Sequence, residues 1–225
     1  MKIVSWIPCK ITGFYTFILN SGLRMKKDSL NILPNDFYLR SNVLEVAKDL
    51  LGKVLCTTID GQLCKGIIVE VEAYSGKNDK ACHANNGKRT PRTEVMYQEG
   101  GRAYVYLCYG IHHLFNVVTN QGGSADAVLI RALEPLAGLD IMASRLNSNN
   151  KKLTNGPGIL AKSMGITTQL TGITFDEKLL WIEHGNNVSQ SQIIATTRIG
   201  VDYAEEDALL PWRFYVKDNS WVSKF

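Results

Sequence analysis

Apolar and polar positions alternate with a period of two along much of the chain. The ranges 53–58 and 66–74 alternate in this way on either side of Asp60 and Gly61, which predicts a β-hairpin with a tight turn. Further runs rich in β-branched and aromatic residues predict strands at 103–109, 113–119 and 127–133. Shorter strands are expected at 179–183, 193–199, 212–217 and 221–223.

Three segments have the pattern of helices. Asn42 is placed to cap a helix over 43–51, which Gly52 would end. A second helix is expected from Pro135 to about Leu146, and a third follows the turn at 155–158 and ends at Gly165. Because strands follow one another with few helices between them, the pattern predicts one α+β domain with a largely antiparallel sheet and flanking helices.

The first 27 residues differ in composition from the rest. They contain five basic residues and no acid, so the net charge of +4 comes from this segment. We interpret 1–27 as an N-terminal extension, disordered or not native, ahead of a domain over 28–225, with the working protein starting near Met25; a targeting segment is the less favoured alternative. The sequence has no apolar run long enough to predict a membrane span.

The cysteines indicate the compartment. Five cysteines, with no CxxC spacing, do not suggest a disulfide framework and favour a reducing, cytoplasmic location, next to the nucleoid if the organism is bacterial. The pairs Cys82-His83 and His112-His113 are adjacent in sequence, and neighbouring strand residues point to opposite faces, so no metal site is predicted.

A long polar loop over 78–101 is the first candidate for function, because structureless segments of this length in compact domains are usually functional or mobile. It is rich in basic residues, among them Lys88, Arg89 and Arg92. A second basic stretch runs over 145–152. Such segments can lie along phosphates, although, taken alone, they are more often an ordinary solvated surface.

Charged residues inside predicted strands are the second candidate. Strict alternation places Val69, Val71 and Ala73 on one face and Ile68, Glu70, Glu72 and Tyr74 on the other. Either this second face is exposed, or a glutamate beside an aromatic ring serves as a general base in a cleft. Arg131, in an apolar run, needs a carboxylate partner if it is buried, and Glu70 or Glu72 could supply it.

Aromatic and amide side chains complete the candidate set. Tyr104 and Tyr106 share one strand face, and Tyr109 stands at the strand end beside a glycine. They could be core residues, or a surface on which flat heteroaromatic rings stack. Asn116 is a polar residue in a strand that backbone groups could satisfy. Together these residues suit hydrolysis of a bond to an aromatic base within a polyanion.

At these residues the sequence resembles the alkyladenine (3-methyladenine) DNA glycosylases, also called methylpurine-DNA glycosylases. The matching segments occur in the family's order and cover about residues 30–225: VEVEAY (69–74), DKACH (79–83), TPR (90–92), AYVYLCYG (103–110), FNVVTNQ (115–121), AVLIRALEPL (127–136), NGPGIL (155–160), RIGVDYA (198–204) and WRFYV (212–216).

The resemblance implies a curved antiparallel sheet, no metal or cofactor, and a monomer that acts on double-stranded DNA containing damaged purines. It implies that Glu72 is the general base, that Arg131 holds the attacking water and that the carbonyl of Ile199 is the third contact of this water. With no lysine among the matched pocket positions, hydrolysis without strand cleavage is expected.

The resemblance also implies roles in recognition. Tyr74, His83 and Tyr106 would sandwich the extruded base, Asn116 would exclude guanine, and Tyr109 would enter the duplex. Lys88, Arg89 and Arg92 are expected to contact the DNA backbone. His112, beside Tyr109, departs from the family, where an aromatic residue is common. A non-catalytic nucleic-acid-binding module and a hydrolase of free nucleosides are the alternatives.

Overall fold

The computed structural model describes residues 31–147, 152–175 and 178–223. Within them the chain forms one mainly antiparallel sheet. Its strands are β1 (Val54–Ile59), β2 (Gln62–Tyr74), β3 (Arg102–Cys108), β4 (His112–Thr119), β5 (Asp126–Ala137), β6 (Leu180–Glu183), β7 (Ile193–Thr196) and β8 (Arg213–Val216). The predicted extension over 1–27 lies outside the described residues.

The strands are connected mostly as neighbouring hairpins. The order across the sheet is β3-β4-β5-β2-β1-β6, and β8 pairs with both β2 and β7. Each of these pairs is antiparallel. Asp60 and Gly61 form the β1–β2 turn with φ of 54° and 71°, as the sequence predicts. The α+β fold with a largely antiparallel sheet is confirmed.

Helices cover one face of the sheet. They are α1 (Val43–Leu50), α2 (Leu139–Leu146) and α3 (Pro157–Met164). The Asn42 side chain accepts hydrogen bonds from two backbone N–H groups in the first turn of α1, which confirms the predicted cap. The main core joins residues of all three helices to Ile68, Val71 and Phe115 on the sheet.

A second, smaller core lies under the loop between β2 and β3. Tyr104 belongs to it, whereas its neighbours Ala103 and Val105 belong to the main core. Because side chains alternate along a strand, β3 has the helices on one face and this loop on the other. The segment 75–101 contains the short 3₁₀ helices Asn85–Gly87 and Glu94–Tyr97. Residues from this loop therefore meet the face that carries Tyr104 and Tyr106.

Several element boundaries differ from the prediction, and the clearest differences are at Pro135, at the end of β7 and at 221–223. Pro135 is still in β5, and α2 begins only at Leu139, after Gly138 with φ of 78°. Pro135 lies opposite Gly66 where the register shifts, so its missing N–H does not interrupt a regular ladder. Strand β7 ends at Thr196, and the range 221–223 is a turn rather than a strand.

The alternation along β2 is also interrupted. The β2–β5 register shifts on both sides of Glu70, which marks a bulge. As a result Ile68 packs in the main core together with Val71 and Ala73, instead of sharing a face with Glu72 as predicted. Glu70 and Glu72 are both fully buried.

The sequence predicts neither a membrane span nor a metal site. In the described part of the chain, no helix has the length and apolar character needed to cross a membrane. In the same residues, no group of three or more His, Cys, Asp or Glu side chains is placed to bind a metal ion. Of the second basic stretch, 148–151 lies outside the described residues.

Candidate functional site

A cavity of about 550 Å³ opens between the sheet and the 75–101 loop. Its lining is mostly aromatic and apolar, which is typical of pockets for flat organic ligands. Its aromatic side chains are Tyr74, His83, Tyr104, Tyr106, Tyr109, His112 and Tyr203. Arg131, Asn116 and Ile199 also line it, so this cavity gathers most of the residues that the sequence identified.

Glu72 lies directly behind this lining. Its Oε1 accepts a hydrogen bond of 2.9 Å from the backbone N–H of Ile199 and lies 3.2 Å from Nη1 of Arg131. Its Oε2 accepts a hydrogen bond of 2.7 Å from the Tyr74 hydroxyl. All three donors line the cavity, and together they stabilise the negative charge of a carboxylate that has no solvent contact.

A second buried carboxylate shares Arg131. Nε of Arg131 donates to Oε1 of Glu70 at 2.9 Å, so the two carboxylates flank one guanidinium. Glu70 also accepts hydrogen bonds from the backbone N–H and the hydroxyl of Ser223, at 2.7 and 2.8 Å. The sequence offered Glu70 or Glu72 as partner of Arg131, and the structure pairs it with both. An exposed face is therefore the wrong interpretation for both glutamates.

A buried ion pair supports Tyr74 and Ile199 from below. The guanidinium of Arg198 makes a bidentate contact with Asp79 at 2.7 and 2.8 Å, and both side chains are fully buried. The same guanidinium lies 4.8 Å from the centre of the Tyr74 ring. Because Arg198 precedes Ile199 in the chain, this pair anchors the backbone that donates to Glu72.

Tyr104 holds the pocket histidine in place. Its hydroxyl lies 2.8 Å from Nδ1 of His83, and the His83 and Tyr106 rings meet edge to face at 4.6 Å. These two rings are too close to take a third ring between them, so they form one wall of the cavity. Burial, followed by the charges of Arg92 and Lys88, lowers the pKa of His83 to about 4, which leaves the imidazole neutral near pH 7.

Backbone groups of the sheet hold the Asn116 side chain, which is one of the two roles that the sequence suggested for it. Its buried Nδ2 donates to the carbonyl oxygens of Tyr104 and Leu114 at 3.1 and 3.4 Å. Those bonds fix the plane of the amide at the cavity wall. Asn116 is therefore both satisfied by backbone groups and part of the cavity lining.

Tyr109 lies at the tip of the β3–β4 hairpin. Its side chain is 89% exposed, and its φ of 50° together with 73° at Gly110 makes the tight turn. Leu107 and Ile111 are exposed beside it. His112, the residue that departs from the family pattern, lines the cavity and packs so closely on Gly158 that a β-carbon there would lie 3.1 Å from its ring.

The three loop residues that were expected to contact the DNA backbone have different surroundings. Arg89 forms a salt bridge with Glu94 at 2.6 Å and stacks on the Tyr97 ring. Arg92 stacks on the Tyr106 ring and bonds to His83. Lys88 is exposed. The structure thus brings Arg92 to the back of the cavity wall, while Arg89 has its charge matched by a carboxylate.

Sequence reasoning gave no role to Asp79 and Arg198, and it named Tyr104 only as a core residue or part of a stacking surface. Tyr104 had the same strand face as Tyr106, and this spacing was the available indication of a shared role. Asp79 and Arg198 are charged residues of two matched segments that are far apart in the chain. Nothing local indicated that they would meet, because their contact depends on the fold of the whole sheet.

Comparison with known proteins identifies the enzyme class of this chain. The family model described as "Methylpurine-DNA glycosylase (MPG)" matches residues 36–220. A protein of Clostridium botulinum (strain Alaska E43 / Type E3) is 47% identical over 203 residues, covering 86% of this chain and 99% of its own length. One of Bacillus cereus (strain ZK / E33L) is 48% identical over 202 residues, covering 85% and 98%.

Both relatives carry the name "Putative 3-methyladenine DNA glycosylase". The protein is therefore a hydrolase of N-glycosyl bonds in DNA, a class that functions in DNA repair. Within that class the chain belongs to the methylpurine-DNA glycosylase family.

Proposed function

We propose that the domain over 28–225 is a monofunctional glycosylase that rotates alkylated or deaminated purines out of duplex DNA and hydrolyses their glycosidic bond. The observation that carries this proposal is the fully buried Glu72 carboxylate, bonded to three groups that line an aromatic cavity. Buried charge is costly to retain, and here it lies where a water molecule could attack a bound nucleotide. We further propose that the protein acts as a monomer in the cytoplasm.

The aromatic walls explain how a purine would be held. The extruded base stacks between Tyr74 on one side and the contacting rings of His83 and Tyr106 on the other. Such stacking contributes about 1–3 kcal/mol per base, which offsets the few kcal/mol needed to unstack a nucleotide. Stacking stabilises purines that carry a positive charge more strongly, because the faces of tyrosine rings attract cations.

Glu72 and its neighbours provide the chemistry. Glu72 accepts a proton from water as the water attacks C1′, and its negative charge stabilises the oxocarbenium-like transition state. The electron pair of the broken glycosidic bond stays on the base: a cationic alkylpurine leaves as a neutral base, whereas a neutral purine such as hypoxanthine must take up a proton from solvent to leave. Arg131 and the carbonyl of Ile199 hold this water. For the water to reach Oε2, the Tyr74 hydroxyl moves off that oxygen when its ring takes up the base.

Other residues provide selectivity and access. The Asn116 amide, fixed by two backbone carbonyls, opposes the 2-amino group of guanine. Tyr109 fills the gap that the rotated nucleotide leaves in the stack. Lys88 and its neighbouring arginines lie along the phosphates. Among the described residues that line the cavity, none is a lysine, which supports hydrolysis without a Schiff base.

The test is base release from duplexes that each contain one lesion: 7-methylguanine, hypoxanthine or ethenoadenine. We expect free base and an intact strand that breaks only on alkaline treatment, with no covalent complex after borohydride. Binding to lesion duplexes without release would support the non-catalytic alternative. Release from free nucleosides but not from duplexes would indicate a nucleoside hydrolase.

A further inference from the structure

His83 separates two cavities. On one side it lines the aromatic cavity, and on the other it lines a second cavity together with Lys88 and Arg92. Arg92 borders only the second of these, so it stands behind the wall that would face the base. It is solvent-exposed, and its role is therefore separable from the folding of the core.

Arg92 contacts both rings of this wall, His83 and Tyr106, and also Tyr104, which holds His83. Its Nη2 lies 3.1 Å from Nε2 and 3.4 Å from Nδ1 of His83. Its Nε donates to the Tyr104 hydroxyl at 3.3 Å, and its guanidinium carbon lies 4.8 Å from the centre of the Tyr106 ring. An arginine that only followed the DNA backbone would not need these three contacts. The geometry fits a group that orients the wall.

The chemistry of the Arg92–His83 contact restricts the state of the imidazole. The Nη2 group lies at similar distances from both ring nitrogens, so the cationic guanidinium is in direct contact with the imidazole. A guanidinium keeps its positive charge at every pH of interest. Protonation of His83 would therefore bring two cations into contact.

We propose that Arg92 is a positioning residue for substrate choice: by contacting the His83 imidazole from behind with its own positive charge, it keeps the wall uncharged and open to purines that are themselves cations. This inference rests on the proposed function for its substrates. A purine alkylated at N3 or N7 is positively charged, and a charged His83 against its face would repel it. The binding of neutral lesions, such as hypoxanthine and ethenoadenine, would be weakened less by a charged His83.

The surroundings of His83 agree with this role. Burial and then the charges of Arg92 and Lys88 lower its pKa to about 4. Burial raises the pKa values of the other acidic neighbours Cys82, Tyr104, Tyr106 and Tyr203, so they stay neutral below pH 8. The titratable and charged groups that face His83 are Lys80, Cys82, Lys88 and Arg92 of the loop, Tyr104 and Tyr106 of β3, and Tyr203.

The first test uses the free protein and needs no substrate. The pH titration of His83 is followed by NMR of its imidazole in wild type, Arg92→Gln and Arg89→Gln, with His83→Phe to assign the signal among the four histidines. Arg89 is a matched control, since it is a loop arginine stacked on a tyrosine but bonded to Glu94. We expect Arg92→Gln to raise the pKa of His83 by roughly one unit or more, and Arg89→Gln to leave it unchanged.

The second test measures substrate choice. The ratio of 7-methylguanine release to ethenoadenine release is determined from pH 8 to pH 4.5 for the same proteins. Relative to wild type, the ratio for Arg92→Gln should fall by about threefold at pH 4.5, because a rise of about one unit in the pKa of His83 leaves a larger share of the imidazole charged at that pH. A general loss of DNA affinity in either variant cancels in this ratio.

Two results would overturn the proposal. One is an unchanged His83 titration in Arg92→Gln. The other is a shifted titration with the same ratio as wild type at every pH. If wild type releases neither base, the proposed function fails, while the NMR result still decides whether Arg92 controls the state of His83.

Discussion

The Glu72 carboxylate receives its hydrogen bonds from three parts of the chain. Tyr74 follows it on the same strand, Arg131 comes from β5, and Ile199 comes from the segment after β7. A charge with this many partners is stable although it has no contact with solvent. At the residue scale, the central question is which of these partners serves catalysis and which serves binding.

Tyr74 can be divided into its ring and its hydroxyl. Tyr74→Phe keeps the stacking face and removes only the donor on Oε2, so we expect base release within about tenfold of wild type. Tyr74→Ala removes the ring as well and should slow release by a further tenfold or more. Single-turnover rates with one lesion duplex measure both. Equal losses in the two variants would show that the hydroxyl, not the ring, is what matters.

Much of this site could be predicted at single positions. Glu72, Arg131, Tyr106 and Asn116 stand out because a polar or aromatic residue interrupts an apolar strand. The Asp79–Arg198 pair does not stand out, because its partners are 119 residues apart and meet only in the folded chain. Local spacing cannot predict contacts of this range.

At the scale of elements, the β3–β4 hairpin carries both part of the cavity wall and the exposed Tyr109 at its turn. Its strands hold Tyr104, Tyr106 and Asn116 in the cavity wall, while its turn presents Tyr109 to solvent. Pairing of Cys108 with His112 closes the hairpin directly below that turn. A short, well-paired hairpin keeps an exposed ring at a fixed distance from the cavity.

The exposed ring at this tip should matter for duplex DNA and not for stability. We expect Tyr109→Ala to slow release from a duplex by about tenfold or more, and to slow release from single-stranded DNA less, since a single strand has no stack to hold open. Tyr109→Phe should keep the duplex rate. An equal loss on both substrates would contradict the role of Tyr109 as a wedge.

Elements were easier to predict than their irregularities. The strands and the cap of α1 follow from alternation and from Asn42. The bulge at Glu70 does not, because one extra residue reverses the faces without any change in composition. Pro135 predicted a helix start but lies in β5, where its position beside a register shift makes it tolerable.

At the scale of the whole molecule, the Asp79–Arg198 pair joins separate regions. Arg198 also donates to the carbonyl oxygens of Ala73 and Asp207, so one guanidinium links β2, the 75–101 loop and the 3₁₀ segment Asp202–Leu209. Asp79 in turn accepts from the backbone of Ser75 and Ala81. The cavity depends on the relative position of these regions.

Breaking this pair should destabilise the protein. We expect Asp79→Ala to lower the free energy of unfolding by about 3–5 kcal/mol, because it leaves Arg198 charged and buried without its partner. Asp49→Ala, which removes the exposed pair with Arg40, is the control and should cost less than about 1 kcal/mol. Urea unfolding measures both. A small effect of Asp79→Ala would mean that the pair does not support the site.

The most direct test of the central claim compares wild type with Glu72→Gln. Glutamine keeps an acceptor for Ile199 and Arg131, and the Tyr74 hydroxyl can accept from its amide, so the fold and the binding of lesion duplexes should be retained. Single-turnover release of hypoxanthine or 7-methylguanine from a duplex should slow by about 10²-fold or more. Release by Glu72→Gln at the wild-type rate would contradict the assignment of Glu72 as the base.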